Sequence, residues 1–368
     1  MKKKIVVSAV NLTRMGPLSV LCDALRYLSA HHAAAFEIIA LVHRRTLCNF
    51  PNIRYLEFPS VKSSWLRRLY YEFVLFKTLS YELNPYLWLS LHDITPNVNA
   101  AKRAVYCHNP SPFYDLQWRE ALLDPRFALF NWFYSDLYRL NIRKNDFVIV
   151  QQEWLRHEFE CRYGLNNIIV AHPDMGSADP FGGESGTEEN SKVFRFFYPC
   201  FPQIFKNVET VLSATRLLEQ QGLSNFQVLL TMEGRENAYA RRLLSRFGDL
   251  KRVAFLGTLD RSEVFRLYAQ ADCLIFASKL ETWGLPITEF KTFGKPMLVA
   301  NLPYAHETVG NYPKVVYFEP NDAGALATIM SAALSKMLAF HPSHASAVRP
   351  PYAKGWAELF AILLQDAA

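Results

Sequence analysis

The sequence lacks the patterns that mark several large classes of protein. No stretch approaches the ~18 uninterrupted apolar residues that a membrane-spanning helix needs. The six cysteines include no Cys-x-x-Cys pair, which argues against a zinc site or a disulfide framework and indicates reduced thiols in a cytosolic protein. No Gly-x-Gly-x-x-Gly follows an apolar run, which disfavours a simple dehydrogenase. No Asp-x-Asp occurs, so we expect no essential metal ion and no other cofactor.

Charge of one sign is present only as a small excess, a net charge of +6 in 368 residues. No RNA- or DNA-binding signature accompanies it, so we expect no nucleic-acid partner. The excess suits an anionic membrane surface and a phosphorylated ligand equally well. A chain of this length exceeds what one hydrophobic core usually organises, and two domains are the expectation.

What the sequence does contain is a repeated order of strand, loop and helix. Lys4–Val10 is an apolar run, a polar loop with Gly16 follows, and Leu18–Leu28 repeats apolar residues at helical spacing. The next apolar run is Phe36–Val42. This order predicts a parallel sheet covered by helices on both faces. Further strands are predicted at Tyr86–Leu91, Ala104–Cys107, Asp146–Val150 and Asn167–Ala171.

Residues 176–191 are small, polar and acidic, which is the composition of a linker or flexible loop. The same order of strands and helices starts again after them. We therefore predict an α/β protein with one Rossmann-like domain over residues 1–175 and a second over residues 192–350. Two such sheets that face each other create a central cleft at the carboxyl ends of their strands. Residues 351–368 are predicted to form an amphipathic helix. The predicted strands of the second domain are Val193–Tyr198, Gln227–Thr231, Val253–Leu256, Asp272–Ala277, Met297–Ala300 and Val315–Phe318.

The most informative segment begins where the apolar run 272–277 ends. A loop with Glu281 and Gly284 precedes Pro286, which suits the first turn of a helix because its ring pre-sets φ. Gly284 lets a ligand approach the backbone closely, and the free N–H groups at the helix start favour an anion such as a diphosphate. Glu281 and Glu289 are placed to accept hydrogen bonds from sugar and ribose hydroxyls beside that anion. The alternative is that both carboxylates are merely solvated.

This segment resembles the signature of glycosyltransferase family 4 in the GT-B superfamily: a Glu, a Phe/Trp-Gly-Leu-Pro core, a second Glu, then Gly-x-Pro and a strand. Glu281 and Glu289 enclose seven residues, as the paired glutamates of that family do. The resemblance is dense over this segment, and weaker echoes span nearly the whole chain. It implies the GT-B fold, with two Rossmann-like domains and a C-terminal helix that crosses back onto the first.

The resemblance also implies roles for single residues of the second domain. Glu281, with Thr282 beside it, would contact donor-sugar hydroxyls near the diphosphate, and Glu289 would bind the nucleotide ribose. The backbone N–H groups around Gly284 and Leu285 would hold phosphate. In the loop after the strand at 193–198, Lys206 would neutralise the diphosphate, which makes it catalytic as well as donor-binding.

The chain departs from the family pattern in the basic residues that would neutralise the diphosphate. Many family members carry Gly-Arg ahead of the Lys, whereas this chain has Phe201-Pro202 there and no Arg before Lys206 in the loop. Either Lys206 acts alone or another basic residue compensates. Arg235, which follows a predicted strand, is the candidate substitute.

In the first domain, the resemblance points to residues that follow predicted strands. Gly16 would let the backbone approach the donor phosphates, although a simple turn glycine is the alternative. His108 resembles the strand-end histidine that points towards the donor sugar, and we expect it to be catalytic; a strand-end residue with only local hydrogen bonds is the alternative. We expect His92, Asp93 and Asn109 to contact the acceptor.

Together these features predict a retaining hexosyltransferase that uses a nucleotide-diphosphate sugar and a glycan or lipid-linked acceptor in cell-surface polysaccharide or lipopolysaccharide assembly. The resemblance implies front-face displacement, in which the leaving diphosphate takes the acceptor proton; a covalent intermediate on Glu281 is the rival. A GT-B-like epimerase and a non-catalytic nucleotide-sugar-binding protein are the alternative functions. The sequence fixes neither the base nor the sugar of the donor.

Residues 62–77 mix basic and aromatic side chains at helical spacing. That composition suits a helix lying on an anionic membrane, near a lipid-linked acceptor. A helix that packs on the sheet with solvated arginines is an equal alternative. We therefore expect a cytoplasmic protein that associates peripherally with the inner face of the membrane.

Overall fold

The structure is a computed structural model, and it describes residues 2–13, 15–173, 193–342, 344 and 347–365. The predicted linker at residues 176–191 lies outside the described residues. By their internal contacts, the residues form two compact units: 1–113, 132–176 and 348–368 make the first, and 114–131 and 177–347 make the second.

The described residues form strands and helices in regular alternation. The strands are β1 (Lys3–Ala9), β2 (Phe36–Val42), β3 (Ile53–Glu57), β4 (Leu87–Ser90), β5 (Lys102–Tyr106), β6 (Phe147–Val150), β7 (Ile168–His172), β8 (Phe194–Tyr198), β9 (Phe226–Leu230), β10 (Val253–Phe255), β11 (Cys273–Phe276), β12 (Met297–Ala300), β13 (Val315–Phe318) and β14 (Tyr352–Lys354). The helices are α1 (Met15–His31), α2 (Trp65–Tyr70), α3 (Phe76–Leu83), α4 (Trp118–Leu123), α5 (Pro125–Arg139), α6 (Glu153–Tyr163), α7 (Val208–Gln220), α8 (Ala238–Phe247), α9 (Arg261–Gln270), α10 (Leu285–Lys291), α11 (Pro303–Val309), α12 (Ala323–Leu334) and α13 (Gly355–Leu363). A single π-turn, Tyr71–Leu75, joins α2 to α3.

The first unit is built on an eight-stranded sheet in the order β14-β7-β6-β5-β4-β1-β2-β3, and every pairing in it is parallel. Its central strands are rich in aliphatic residues because helices cover both faces. Along β1, Ile5 and Val7 pack in one buried cluster, whereas Val6 packs in another. This alternation follows from the two-residue period of a strand.

The second unit is built on a six-stranded parallel sheet in the order β10-β9-β8-β11-β12-β13. The order reverses between β8 and β11, since β8 leads to β9 on one side and β11 leads to β12 on the other. The first sheet has an equivalent reversal between β1 and β4. The loops that leave such neighbouring strands run in opposite directions and open the crevice in which α/β sheets bind ligands.

The compact units differ from the predicted domains in one segment of the first half. Tyr114–Asn131 contains α4 and the start of α5, and it belongs to the second unit. Aromatic packing is the physical reason, because the rings of Tyr114 and Phe127 lie 6.5 Å and 5.5 Å from the ring of Phe205. An ion pair adds to it, with Lys279 Nζ 3.5 Å from Glu120 Oε1.

The C-terminal segment returns to the first unit, as the resemblance implied. Helix α13 buries Leu359, Phe360 and Leu363 in the core beneath β1. The sequence did not predict β14, the short strand before this helix, which pairs with β7. Among the described residues, no helix is long and apolar enough to cross a membrane.

Arg156 binds the chain just before β14 through hydrogen bonds. We expect Arg156→Ala to lower the free energy of unfolding by about 3 kcal/mol. Its side chain is 3% exposed, and its guanidinium donates to the carbonyl oxygens of Arg349 and Pro351 at 2.6 Å and 2.5 Å. Truncation leaves Glu153 and both carbonyls without that donor. Urea denaturation of the purified variant measures the loss. Arg349→Ala, which removes an exposed partner of Glu153, is the control and should cost much less; equal losses would contradict the assignment.

Candidate functional site

The loops after β8 and β11 leave the second sheet at its reversal point, and hydrogen bonds tie them together. The Lys279 N–H donates to the Phe205 carbonyl at 2.6 Å. Asn207 Nδ2 donates to the Ala277 carbonyl at 3.2 Å. Tyr198 OH donates to the Lys206 carbonyl at 2.6 Å. Because each loop is held by the other, the side chains they carry are fixed relative to one another.

These two loops bring Lys206 and Glu281 into contact. Lys206 Nζ donates to Glu281 Oε1, and the two side chains are only 19% and 15% exposed. An ion pair with so little solvent around it is stronger than a surface pair. An ammonium group that can bind phosphate oxygens and a carboxylate that can bind hydroxyls thus lie side by side. Thr282, next to Glu281, is partly exposed.

Gly284 sits at the N-cap of α10 with φ 82° and ψ 58°, a left-handed conformation that favours glycine. An added Cβ would meet ordinary contacts of 3.4 to 3.5 Å, so the backbone conformation and not crowding demands glycine. Pro286 occupies the first turn, as the sequence predicted. The first N–H groups of a helix have no partner within it, and Leu285, which begins this helix, is 39% exposed.

Glu289 lies on α10 between two donors. Tyr268 OH donates to Oε2 at 3.1 Å, and Arg261 donates to Oε1 at 3.3 Å. Burial raises the pKa of the Glu289 carboxyl, against the opposing effects of Arg261 and Tyr268. Each carboxylate oxygen has a second lone pair, so the group can still accept hydrogen bonds from a diol.

Arg235 follows β9, the strand beside β8, and is exposed. Its loop is tied to the loop of Lys206, since the Cys200 N–H donates to Thr231 Oγ1 at 2.8 Å. Within the described part of the chain, Arg235 forms no salt bridge. It therefore lies at the same carboxyl edge of the sheet as Lys206, and its predicted role as the substitute cation stays a prediction.

In the first unit, Asp93 organises the loops after β4 and β5. Its Oδ1 accepts from the N–H groups of His108 at 2.5 Å and Asn109 at 3.0 Å. The hydroxyls of Tyr134 and Tyr138 donate to its two oxygens at 3.0 Å. Asp93 itself has φ 71°, which this set of contacts holds. The contacts give Asp93 a positioning role, while its predicted contact with an acceptor stays a prediction.

His108 lies at the end of β5 with its ring stacked on Tyr106, the centroids 4.4 Å apart. Burial lowers the pKa of His108, against the upward effects of Asp93 and of a backbone hydrogen bond with Leu91. Its Nε2 is buried and has no hydrogen-bond partner among the described residues. A neutral imidazole with one uncommitted nitrogen is suited to bind a sugar hydroxyl. Asn109 Nδ2 is likewise without a partner there.

His92 and Gly16 lie at the reversal point of the first sheet. His92 is fully buried, with Nε2 3.0 Å from Ser8 Oγ and 3.3 Å from Glu72 Oε1. Burial lowers the pKa of His92 to about 3 and raises that of Glu72 to about 8, so both groups are neutral at pH 7. Gly16 is the second residue of α1, and a Cβ added to it would meet nothing within 4 Å. That open space is compatible with a ligand against the backbone.

The sequence did not identify several residues that support these sites. Lys279, Arg261 and Tyr268 contact or neighbour the predicted donor residues, and Arg68 and Glu72 support His92. Lys279 stands two residues before Glu281, which was the available signal. Among the described residues, no three His, Cys, Asp or Glu side chains come together as a metal site would require. The expectation that no metal is essential stays a prediction.

Comparisons with known proteins concern the family and the fold of this chain. Residues 185–341 match the family model described as glycosyl transferases group 1. The O-antigen chain mannosyltransferase B of Escherichia coli is 29% identical over 122 residues, which are 33% of this chain and 32% of that protein. This chain therefore spans about a third of the length of that curated relative.

Two solved structures are similar over nearly the whole chain. Sucrose-phosphate synthase from Thermosynechococcus elongatus superposes with a TM-score of 0.65 at 16% identity and covers 91% of this chain and 90% of its own. Anabaena HepE in complex with UDP and glucose gives 0.59 at 15% identity, with 90% of both chains covered. These likenesses confirm the predicted GT-B fold, whereas membership of family 4 in particular stays a prediction.

We expect Gly284→Ala to cost about 1 kcal/mol of stability and, in addition, to weaken nucleotide-sugar binding. The control is Gly294→Ala, because Gly294 has φ 65° with nothing within 4 Å of an added Cβ and lies beyond α10. Both variants carry the same backbone strain, so urea denaturation should show similar losses. Isothermal titration should show weaker donor binding for Gly284→Ala alone. Equal binding by the two variants would remove Gly284 from the donor site.

Proposed function

We propose that this chain, whose residues 185–341 match the family model described as glycosyl transferases group 1, transfers a hexose from a nucleotide-diphosphate sugar to a glycan or lipid-linked glycan. The observation that carries the proposal is the joining of Lys206 and Glu281 at the reversal point of the second sheet. In a dehydrogenase or a simple phosphate-binding protein, the cation that binds phosphate does not need a carboxylate in contact with it. A nucleotide sugar presents both hydroxyls and a diphosphate, and it suits both groups.

Each part of the donor has proposed binding residues in the second unit. Lys206, with Arg235 at the same sheet edge, neutralises the diphosphate, and the N–H groups at Gly284 and Leu285 donate to it. The Glu281 carboxylate accepts hydrogen bonds from the sugar hydroxyls, and the Thr282 hydroxyl donates to them or accepts from them. Glu289, held by Tyr268 and Arg261, accepts from the two ribose hydroxyls. A diphosphate that binds Lys206 competes with Glu281 for the ammonium, which releases the carboxylate for the sugar.

Retention is the stereochemical outcome that we propose. The acceptor hydroxyl attacks the anomeric carbon from the face that the diphosphate leaves, so the C–O bond to phosphate breaks as the new glycosidic bond forms. The hydroxyl proton passes to a diphosphate oxygen, and the products are the glycoside and the nucleoside diphosphate. Positioning and charge stabilisation by Lys206 and the N–H groups then supply the catalysis, without a metal ion or a covalent intermediate.

In the first unit, we assign His108 to the donor sugar and His92, Asp93 and Asn109 to the support or contact of the acceptor. The uncommitted Nε2 of His108 supports its assignment. Gly16 is assigned to the donor phosphates because its surroundings leave space for a ligand. Cell-surface polysaccharide or lipopolysaccharide assembly at the cytoplasmic face of a membrane is the proposed setting, and the named function of the Escherichia coli relative supports it.

We expect Glu281→Gln to lower kcat by about 100-fold or more, because a neutral amide cannot stabilise the sugar and the Lys206 charge as the carboxylate does. Glu289→Gln should mainly raise KM for the donor, by about tenfold, since ribose binding is made equally in the ground and transition states. Release of nucleoside diphosphate in a coupled assay measures both, and NMR of the product should show a retained anomeric configuration.

The matched control for both variants is Glu209→Gln, which neutralises a partly exposed carboxylate on α7 that pairs with Arg246. It should leave both kinetic constants unchanged. Full activity of Glu281→Gln, with circular dichroism showing an intact fold, would refute the enzymatic assignment of this residue. Donor binding without any turnover in the wild type would favour a binding protein, and interconversion of the donor sugar without transfer would favour an epimerase.

Thermal stability in the presence of UDP-, GDP- and dTDP-sugars should identify the donor. A ligand at a hundred times its Kd stabilises the folded state by about 2.7 kcal/mol, so the cognate donor should raise Tm measurably. Lys206→Met should abolish this shift, because the diphosphate loses its cation. Lys251→Met, an exposed position outside the two site loops, should keep it. A wild-type Tm that no nucleotide sugar in the panel changes would count against the proposal.

A further inference from the structure

The continuous helical segment Trp65–Leu83, which comprises α2, the π-turn and α3, leaves several large apolar side chains in solvent although it packs on the core. The face turned into the first unit buries Phe76 and Leu83 in the core, with Tyr71, Leu75 and Leu79 packed against it. The same face also buries the polar groups of Arg68 (9% exposed), Glu72 (0%) and Ser80 (0%). The face turned to solvent carries large apolar and aromatic residues: Leu66 (81% exposed), Tyr70 (54%), Val74 (51%) and Tyr81 (60%). A surface helix in water carries charged and polar residues on its solvent face, so these exposed apolar side chains are the unusual feature.

This outer face needs a partner that is not water. Burying polar groups such as those of Arg68 and Glu72 is costly unless they have hydrogen-bond partners, and the same segment leaves large apolar side chains in solvent. Contiguous exposed apolar surface on a folded chain marks an interaction site. The face continues beyond the segment, because the Trp65 ring contacts the Tyr134 ring of α5 at 6.5 Å. On that helix, Trp132 and Phe133 are 60% and 61% exposed.

The charges around the outer face select an anionic lipid bilayer as the partner. Lys62, Arg67 and Lys77 are exposed along it, whereas the one acidic residue between Lys62 and Tyr81 is the buried Glu72. The next exposed carboxylate is Glu82, at the end of α3. Basic and aromatic residues around apolar ones are the composition of a helix that lies in a lipid headgroup region. A second copy of this chain would place cation against cation, which disfavours a symmetric dimer through this face.

The inner face of the same segment contacts the loop that leads to His108. Arg68 Nη2 donates to the His92 carbonyl at 3.0 Å, and the Asn97 N–H donates to the Glu72 carbonyl at 3.0 Å. Asp93, next to His92, accepts from the His108 N–H. The π-turn lies in the middle of the segment, and such turns are places where helices adjust their register, frequently at functional sites.

We propose that the outer face of Trp65–Leu83 binds an anionic bilayer and that Arg68 and Glu72 transmit this binding to the loop of His92 and Asp93, and so to His108. Binding to the bilayer is independent of catalysis. The transmission bears on activity only through the proposed function, because His108 acts on substrate only if the chain is a glycosyltransferase. Membrane contact would then order the loop at the place where a lipid-linked acceptor is found.

Flotation with vesicles tests the docking. The full chain should float with vesicles of phosphatidylcholine and phosphatidylglycerol, should bind vesicles of phosphatidylcholine alone more weakly, and should lose binding in high salt. Arg67→Gln with Lys77→Gln should weaken partitioning roughly 30-fold. The charge-matched control is Arg241→Gln with Arg242→Gln, two exposed arginines of α8. Equal effects of the two pairs, or no flotation of the wild type, would overturn the proposal.

A second pair of variants tests how much the exposed apolar side chains contribute to vesicle binding. Leu66→Ser, Tyr70→Ser and Val74→Ser together should abolish flotation while circular dichroism and Tm stay near the wild-type values, because these side chains are exposed. Leu217→Ser with Met337→Ser changes apolar residues that are 36% and 73% exposed in the second unit, and it should leave flotation unchanged. Flotation of the triple variant at wild-type affinity would assign the exposed face to something other than lipid.

Hydrogen exchange tests the transmission without any assay of activity. Anionic vesicles should slow amide exchange across residues 91–109 of the wild type. Arg68→Lys keeps the charge but not the forked donor geometry, so it should still float and should lose this protection. Unchanged exchange in the wild type, or protection that survives in Arg68→Lys, would refute the transmission. Neither outcome depends on turnover, so failure of the proposed function leaves a different signature: protected amides and no transfer.

Discussion

The mutual support of two loops at the reversal point of the second sheet is the constraint on which the candidate donor site depends. The hydrogen bond from the Lys279 N–H to the Phe205 carbonyl and that from Asn207 to Ala277 fix loops from strands that are neighbours in space but distant in sequence. Without them, Lys206 and Glu281 would be long flexible side chains on separate loops, and their pairing would lose rotamer entropy each time it formed. A preorganised site avoids that loss at the moment of binding.

In the first unit, a single carboxylate, that of Asp93, holds the loops of the candidate site in place. Asp93 gathers two backbone N–H groups and two tyrosine hydroxyls, and this set holds the residues before and after β5 in one arrangement. The two units thus share an architecture in which polar contacts just beyond the strand ends position the functional side chains. The sheets beneath them are apolar and would by themselves leave those loops undetermined.

Features that depend on neighbouring residues could be predicted from the sequence, whereas features that depend on residues distant in the sequence could not. Twelve of the strands were predicted because a parallel strand covered on both faces is a continuous apolar run, whereas β3 and β14 lie at sheet edges and are short or mixed in composition. The segment of Glu281, Gly284 and Glu289 was recognisable because its geometry is local. The roles of Asp93, Arg68 and Glu72 could not be recognised from the sequence, because each depends on partners 15 to 45 residues away or on a buried environment. Nothing in the residues 114–131 themselves indicates that they pack on Phe205.

The return of the C-terminal segment has a consequence for the order in which the molecule is completed on the ribosome. The core beneath β1 includes Leu359, Phe360 and Leu363, so the first unit lacks part of its interior until residues some 350 positions later have left the exit tunnel. The second unit, by contrast, needs only residues up to 347. Domains usually fold in the order of synthesis. Here the unit that contains β1 is completed after the second unit, and during translation it exposes the apolar groove that α13 later covers.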